Sequence, residues 1–497
     1  MKKQPFSSQL FLLYIIPLFS YFIYRLFDQS KMLFQFPLDL INDYSGHMAM
    51  LFFLKVCGFH SVCPYWYNGY TTFLTYTPGW SFFTYPLYLL TNNVLFSTYL
   101  SLLLLFLLAF LFIFSFGKKY LSPLSSLFFF LLVFANPISI GNFIRLGRMS
   151  EFFSWVFFIP LFFLILIYKE KEFDRFFYFS FIFFYFILMI SHPLVIILSH
   201  IYLLGFFFVL SFSQKIRLLF CSLLGLLLSS FWWLPYLRNI FSTSILDYSM
   251  GLRALDFSGP WLYDNLVGIL LSFTLLFVLF FYLRQICSRR EFLFLSPLLL
   301  LVFLYLFRFS AFLPVLRNVY PDSIHIFFLF FIVYYFLRLN FSSFSSLFRI
   351  LFFSFLFFIL LFGIFFSIIH TPFFVPHGDL EEDVLTVLSS LPDDSVFYIL
   401  PFYSSTSYSN AYYSYAPIYL NLSSSGGWSY SEKDAFYVST FKAIPSSLSS
   451  GSCILAHEQI SFVHTSHILA TQNYCSLLSS CGFSFISQTG DVCLFQT

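Results

Sequence analysis

Charge is scarce in this sequence. Only 9% of the 497 residues are charged, whereas 59% are hydrophobic and 25% are aromatic, and the mean hydropathy is +0.85. No soluble domain needs so much apolar surface. The sequence also lacks an internal repeat, a Cys-x-x-Cys pair and a glycine-rich phosphate-binding loop. We therefore expect a membrane protein that does not use a P-loop or Rossmann nucleotide site.

Long apolar runs are what the sequence has instead. Runs near 20 residues can each cross a hydrocarbon core of roughly 30 Å as a helix rising about 1.5 Å per residue. These runs are 8–27, 94–115, 150–168, 193–212, 216–235, 263–283 and 350–369. Shorter runs become long enough with their flanks, at 123–138, 176–190, 292–307 and 323–338. We predict a polytopic α-helical membrane protein with about eleven transmembrane helices.

Basic residues determine the predicted orientation. In the eleven-span arrangement they gather in short loops on one side, which the positive-inside rule makes cytoplasmic. They are Lys2, Lys3, Lys118, Lys119, Lys169, Lys171, Arg175, Lys215, Arg217, Arg284, Arg289, Arg290, Arg338 and Arg349. No small-x-small cleavage site follows the first run, so we expect a retained span rather than a signal peptide. The prediction is a multi-pass protein of the cell membrane with a cytoplasmic N-terminus and no nucleic-acid partner.

The character of the sequence changes near His370, where apolar runs give way to Ser, Tyr, Asp and short alternating segments. An acidic first turn predicts a helix over 379–391. Strands are predicted in "SVFYILPF", "SCILA" and "DVCLFQT". We predict a transmembrane domain over 1–369, with 28–93 as its first extracytoplasmic loop. A small extracytoplasmic α/β domain would cover 370–497.

Cysteines and glycines add two open questions. Even numbers of cysteines in the first loop and in the tail permit disulfides or free thiols, and spacing leaves their pairing undetermined; these are Cys57, Cys63, Cys453, Cys475, Cys481 and Cys493. Gly426, Gly427 and Trp428 would form either a loop over a bound sugar or a tight turn with a packed Trp. We favour the tight turn.

Three titratable residues are spaced four apart in "DLINDYSGHMAM". In a helix, Asp39, Asp43 and His47 would lie along one face, and apolar neighbours would cover another. The prediction is an amphipathic helix at the outer membrane surface. Carboxylates beside a histidine suit general-base catalysis, or coordination of a hard divalent cation together with substrate phosphate. The alternative is a solvated polar face.

An ordered set of residues surrounds this stretch: Asp43, Gly46, His47, Gly58, Pro64, Trp66, Tyr67, Gly69, Tyr85 and Pro86. In this order they resemble the first outer loop of the polytopic glycosyltransferases of the GT-C fold, in particular prokaryotic proteins with the pattern D-x-x-G-H. The family more often has its Gly and Pro closer together than Gly58 and Pro64. Looser similarity extends to "GRMSEFF", "SHP" and "FWWLPYL".

The resemblance implies a chemistry. GT-C enzymes take a sugar from a polyprenyl-phosphate-type lipid donor and pass it to a glycan, lipid or protein acceptor outside the cytoplasm, among membrane lipids. Carried over by motif, Asp43 would be the base or the metal-positioning acid, His47 its neighbour in the site, and Asp39 a weaker candidate. The family often has an acidic pair in D-x-D form. Here the spacing is D-x-x-x-D, so a divalent cation (Mg or Mn) held by Asp43 and His47 stays an open expectation.

Further charged and aromatic residues on the predicted outer side are candidates for binding the substrate. A guanidinium suits bidentate contact with a lipid phosphate, and Arg145 and Arg148, with Glu151 close behind, stand at an outer helix end. Interfacial anchoring is the alternative. The remaining candidates are His192, Arg317 in a basic outer loop, and Trp66 and Tyr67 from the motif. For His192 the alternative is that it caps a turn.

Two other classes of function remain open from the sequence. A transporter or flippase of lipid-linked sugars would show ionisable or Gly/Pro-broken positions deep in two related halves. The sequence has no internal repeat, and its charged residues cluster at one membrane face. A non-catalytic scaffold with the same fold is the third reading.

Overall fold

The computed structural model describes residues 8–39, 41–242, 255–259, 261–313, 315–340, 345–400, 409–428 and 435–497. The chain divides into two compact units. Unit 1 comprises Met1–Gln29, Leu102–Phe231 and Tyr248–Pro372, and unit 2 comprises Ser30–Ser101, Trp232–Asp247 and Phe373–Thr497.

Helices dominate the described residues. In chain order they are α1 Ser8–Gln29, α2 Tyr44–Val56, α3 Gly79–Thr91, α4 Val94–Gly117, α5 Pro123–Phe134, α6 Pro137–Ile140, α7 Met149–Tyr168, α8 Arg175–Met189, α9 Pro193–Val209, α10 Phe212–Leu228, α11 Ser230–Ser242, α12 Trp261–Ile286, α13 Arg289–Leu306, α14 Pro321–Phe336, α15 Ser346–His370, α16 Asp379–Ser389, α17 Ser409–Leu420, α18 Ala435–Ser449, α19 Cys453–Phe462 and α20 Gln472–Ser480.

Each predicted apolar run lies on one of these helices or on a bent pair of them. Within the described residues, four are long and apolar enough to cross a membrane, namely α4, α7, α12 and the Arg349–His370 part of α15. The number rises to six if each of two bent pairs is one span. Helices α8, α9 and α14 are apolar but shorter. The helices indicate a membrane protein, while the count of eleven crossings stays a prediction.

Two predicted spans are broken. The run at 216–235 forms α10 and α11, which meet at 73°. The hydroxyl of Ser229 donates to the carbonyls of Gly225 and Leu226 at the break, and such bonding to the preceding turn bends helices. The run at 123–138 ends α5 at Phe134, and a helix at 53° to it starts at Pro137. Pro137 has no N–H to continue α5, and the Asn136 side chain caps the new helix.

The packed centre of unit 1 is α7. In its most apolar window 94% of residues are buried, against 11% for α15. Both helices are apolar all round, and a helix of this kind is stable only inside a protein or in lipid. Helix α7 therefore lies within the bundle, and α15 presents most of its surface outward.

Unit 2 contains a five-stranded sheet in the order β4-β3-β5-β7-β6. Its strands are β3 Val396–Ile399, β4 Ser423–Ser424, β5 His467–Thr471, β6 Ser484–Thr489 and β7 Val492–Gln496. Strand β3 pairs in parallel with β4 and β5, whereas β7 is antiparallel to β5 and β6. Helix α16 and strands β3 and β7 lie where the sequence predicted them. The predicted strand in "SCILA" is wrong, because it opens α19; a short apolar run fits either state.

The first loop folds within unit 2 as α2, a small hairpin and α3. The hairpin strands are β1 Val62–Cys63 and β2 Tyr70–Thr71. Three disulfides join the six loop and tail cysteines, and all lie in unit 2: Cys57–Cys63, Cys453–Cys481 and Cys475–Cys493. Cys221 and Cys287 carry free thiols. The pairing that spacing left open is therefore local in each segment.

Candidate functional site

The predicted acidic stripe does not exist. Helix α2 begins at Tyr44, so Asp39 lies in the turn before it and Asp43 occupies the N-cap position. The Asp39 carboxylate, only 7% exposed, accepts a hydrogen bond from the backbone N–H of Ile41 at 2.9 Å. The side chain of Asn42 accepts one from the N–H of Tyr44 at 3.2 Å. Asp and Asn favour such turns over helix interiors, which a reading by helical spacing overlooked.

The predicted amphipathic surface helix is also wrong. Every residue of α2 from Tyr44 to Leu51 is buried. A helix enclosed on all sides needs no polar face, and its apolar content comes from packing rather than from contact with a membrane surface. Asp43 and His47 are therefore presented at one end of a buried helix.

Asp43 and His47 occupy successive turns at this end. The backbone carbonyl of Asp43 accepts from the N–H of His47 at 3.1 Å, whereas the Asp43 carboxylate makes no hydrogen bond that caps the helix. Asp43 is partly exposed and His47 is 4% exposed. The Tyr76 hydroxyl lies 2.7 Å from Nδ1 of His47, and the ring of Trp80 meets the imidazole edge-on at 5.1 Å. His47 thus has a fixed orientation beside a carboxylate that its own helix does not use.

Trp428 lies directly on this turn of α2. A Cβ atom at Gly46 would lie 2.6 Å from Cδ2 of Trp428, closer than real Cβ contacts allow. A Cβ at Gly427 would likewise meet the ring of Tyr67 at 2.6 Å. The two glycines therefore permit contacts that an alanine would block, and the segment 424–428 is a packed turn, as the sequence favoured. Trp428 itself stays partly exposed.

Trp66 and Tyr67 do not face a substrate. Trp66 is 1% exposed and Tyr67 is 0% exposed. The indole N–H of Trp66 donates to the carbonyl of Tyr413 at 2.7 Å, and the backbone N–H of Tyr67 donates to the carbonyl of Gly426 at 3.2 Å. These aromatics join the first loop to the tail within unit 2. Their predicted role in substrate binding is therefore replaced by packing.

The residues present do not make a metal site by themselves. Nδ1 of His47 is hydrogen-bonded to Tyr76, which leaves Asp43 as the chief oxygen donor. Among the residues that the structure describes, no group of three His, Cys, Asp or Glu side chains could hold a metal ion. A hard cation usually takes more oxygen ligands than one carboxylate supplies. We route no chemical step through a metal.

Unit 1 carries a separate polar cluster where α7 and α14 begin. Nη1 of Arg148 lies 2.9 Å from Oδ2 of Asp322 and 3.7 Å from Oε2 of Glu151. Glu151 is 1% exposed, and its Oε1 accepts from the Ser323 hydroxyl at 2.7 Å and from the Trp155 indole at 3.2 Å. Buried carboxylates with this many donors are firmly held. Arg148 already balances two acids, so a lipid phosphate would have to compete with Asp322 for it.

His192 lies near this cluster, and the charges of Glu151 and Arg148 act on it. It occupies the N-cap position of α9, but its side chain makes no capping hydrogen bond, so the predicted structural cap is wrong. Nδ1 is buried without a hydrogen-bond partner among the described residues. Burial is the main influence and lowers the pKa of His192, while Glu151 acts in the opposite direction. His192 therefore lies near enough to Glu151 and Arg148 for their charges to act on its pKa.

The remaining predicted phosphate ligands lie elsewhere in unit 1. Arg145 ends a π-helical turn, Gly141–Arg145, and is 5% exposed. Arg317 lies on the 3-10 helix Leu316–Asn318 and is exposed. Asp39, Asp43 and His47 belong to unit 2, so the structure groups the predicted site residues in two separate sets.

Sequence reasoning did not place Tyr76 or Trp428 beside the Asp43 turn. The chain has 34 Tyr and 82 Phe, so a single aromatic residue in the sequence gives little indication of a functional site. A weak signal existed for Asp322, because "YPDS" combines a Pro at the first helical position with an acid in the first turn.

Known structures share this fold. The oligosaccharyltransferase of Archaeoglobus fulgidus in the apo form aligns with 94% of this chain over 73% of its own length, with a TM-score of 0.54 and 10% identity. The same enzyme tethered with an acceptor peptide containing the NVT sequon aligns with 97% of this chain over 74% of its length, with a TM-score of 0.54 and 11% identity. The arabinofuranosyltransferase AftD from Mycobacteria aligns with 96% of this chain over 39% of its length, with a TM-score of 0.53 and 10% identity.

Both neighbours are glycosyltransferases of the GT-C fold, so the chain has a GT-C-like fold. No protein-family model matches the sequence, and no curated protein matches it. The fold class implied by the resemblance is thus confirmed, whereas the D-x-x-G-H pattern stays a prediction.

Proposed function

We propose that this protein is an integral membrane glycosyltransferase. It moves a sugar from a polyprenyl-phosphate-type lipid donor to a glycan, lipid or protein acceptor on the extracytoplasmic side. Asp43 acts as the base that takes the acceptor proton, or orients the acceptor, while the carrier phosphate leaves. No nucleotide is needed at this step.

The observation that carries the proposal is the state of Asp43. It stands at the N-terminus of a buried helix, partly exposed, with a carboxylate that does not cap that helix. A helix N-terminus also favours negative charge close to it. His47, held by Tyr76, lies one turn further along. The GT-C-like fold supports the reaction class, because both neighbours carry glycosyltransferase names.

The donor phosphate needs positive charge of its own. The leaving phosphate gains negative charge in the transition state, and guanidinium groups stabilise it well. Arg145, Arg148 and Arg317, all in unit 1, are our candidates for this role, and the proposal for Asp43 in unit 2 does not depend on them. Arg148 is held by Glu151 and Asp322.

The test uses purified protein, a panel of polyprenyl-phosphate sugars and a mixture of acceptors, with transferred sugar as the readout. Asp43→Asn should lower transfer about 100-fold or more while binding of the lipid donor persists, because general-base catalysis typically contributes that much. Asp39→Asn is the matched control, since an Asn oxygen can still accept from the N–H of Ile41. It should keep most activity.

Two outcomes would count against the proposal. Full transfer by Asp43→Asn would remove Asp43 from the chemistry. Movement of lipid-linked sugar across liposomes without cleavage of the sugar–phosphate bond would indicate a flippase instead.

A further inference from the structure

Unit 1 contains a large apolar groove between α1, α5, α12, α14 and α15. Its volume is about 830 Å³. On α12 its lining extends from Leu270 to Phe280, which at about 1.5 Å per residue is roughly 15 Å of height. The hydrocarbon of one leaflet is about half of a core roughly 30 Å thick. The groove therefore has the height of a single lipid chain in one leaflet.

The polar side chains that line the groove offer nothing to a polar ligand. The Tyr14 hydroxyl donates to the carbonyl of Phe353 at 2.5 Å, and the Thr274 hydroxyl donates to that of Leu270 at 2.8 Å. The amide of Asn136 bonds to the carbonyls of Leu132 and Val133 and caps the helix that follows. An occupant gains only by burying hydrocarbon here.

Arginines stand at one end of this groove. Arg349 precedes the lining residue Phe352 by three positions on α15, and Arg284 follows the lining residue Phe280 by four on α12. Residues three or four apart share a helix face. Arg338 comes only two residues after the lining residue Phe336 of α14, and its guanidinium lies over the ring of Tyr120, 5.4 Å from the ring centroid, rather than on the groove-lining face. Two positive charges, on α12 and α15, thus lie one turn beyond the apolar lining.

The Arg349 guanidinium has capacity left for an anion. Its Nε is buried and has no hydrogen-bond partner among the described residues. A buried unmet donor is costly, and a charge-assisted bond to phosphate would relieve that cost.

We propose that the groove binds one chain of an anionic membrane phospholipid, whose phosphate contacts Arg349, with Arg284 nearby. The apolar lining holds the acyl chain, and the arginines select a negatively charged headgroup. The bound lipid fills the space between α12, α14 and α15 and holds these helices together. This site is independent of the proposed glycosyl transfer, and it lies at the opposite end of α14 from Asp322.

The test starts from full-length protein purified in mild detergent and stripped of lipid. Phosphatidylglycerol should raise the thermal unfolding midpoint, whereas phosphatidylcholine with the same acyl chains should raise it much less. Native mass spectrometry should show one phosphatidylglycerol bound per chain. Arg349→Gln and Arg284→Gln should each weaken binding roughly fivefold, the effect expected for one arginine near a lipid phosphate.

Controls separate the parts of the site. Arg217→Gln removes a charge on α10, away from the groove, and should leave lipid binding unchanged. Thr274→Phe fills the groove without altering the arginines and should abolish binding. Equal stabilisation by the two lipids in the unmodified protein would overturn the proposal, even if every variant failed to fold. A polyprenyl phosphate as the tightly retained lipid, or full binding by Thr274→Phe, would also overturn it.

Discussion

Asp43 in unit 2 and Asp174 in unit 1 both occupy the N-cap position of a helix, and they use it differently. Asp174 is exposed, and its Oδ1 accepts hydrogen bonds from the N–H of Phe177 at 2.9 Å and from the Tyr168 hydroxyl at 2.6 Å. The carboxylate of Asp43 caps nothing in α2. A missing cap typically costs about 1 kcal/mol of stability. Asp43 therefore forgoes a helix cap that Asp174 provides.

Glu151 in unit 1 is an acid that differs from Asp43 in both burial and hydrogen bonding. It is almost fully buried, with two hydrogen-bond donors and Arg148 around it, whereas Asp43 is partly exposed. Glu151 and Asp174 therefore each bind buried or helix-capping donors, whereas Asp43 does not cap its helix. Stability should depend more on Glu151 and Asp174 than on Asp43, and enzymatic activity should depend most on Asp43.

The largest expected loss of stability comes from Glu151→Leu. It leaves the Ser323 hydroxyl and the Trp155 indole without their buried acceptor, while Arg148 keeps Asp322, and each unsatisfied buried donor costs about 1 to 3 kcal/mol. Thermal unfolding in detergent should show a clear drop in midpoint. The comparison fails if Asp43→Leu, measured alongside, destabilises as much.

The next effect is that of Gly46→Ala, which tests whether α2 is held in place by Trp428. The added methyl group collides with the indole, and such overpacking costs about 1 to 3 kcal/mol. Combining it with Trp428→Ala should recover part of that cost, which a double-mutant cycle measures. Gly363→Ala is the matched control, because its added methyl would make only ordinary contact with Pro137. Purely additive losses in the free energy of unfolding would show that Gly46 and Trp428 do not interact.

Part of this arrangement could be predicted from the sequence. A helix that crosses a membrane must be long and apolar, so the positions of the helices followed from hydropathy. The start of α2 was wrong, because "DLIND" favours a turn whose local hydrogen bonds outweigh the four-residue spacing. The contacts of Tyr76 with His47 and of Trp428 with Gly46 join segments far apart in the chain or across a loop. Neither contact leaves a periodic signal, and neither do the disulfide partners.

The smallest effect is that of Asp174 and depends on pH. The Tyr168 hydroxyl, followed by the N–H of Phe177, lowers the pKa of Asp174 below its ordinary value. A lowered pKa means that the carboxylate adds stability above its ordinary pKa and that this contribution is lost as pH falls through the lowered value. Asp174→Ala should therefore unfold at a slightly lower temperature than the unmodified protein at neutral pH. The difference should shrink in acid. A difference that stays the same in acid would mean that the Asp174 carboxylate does not supply this stability.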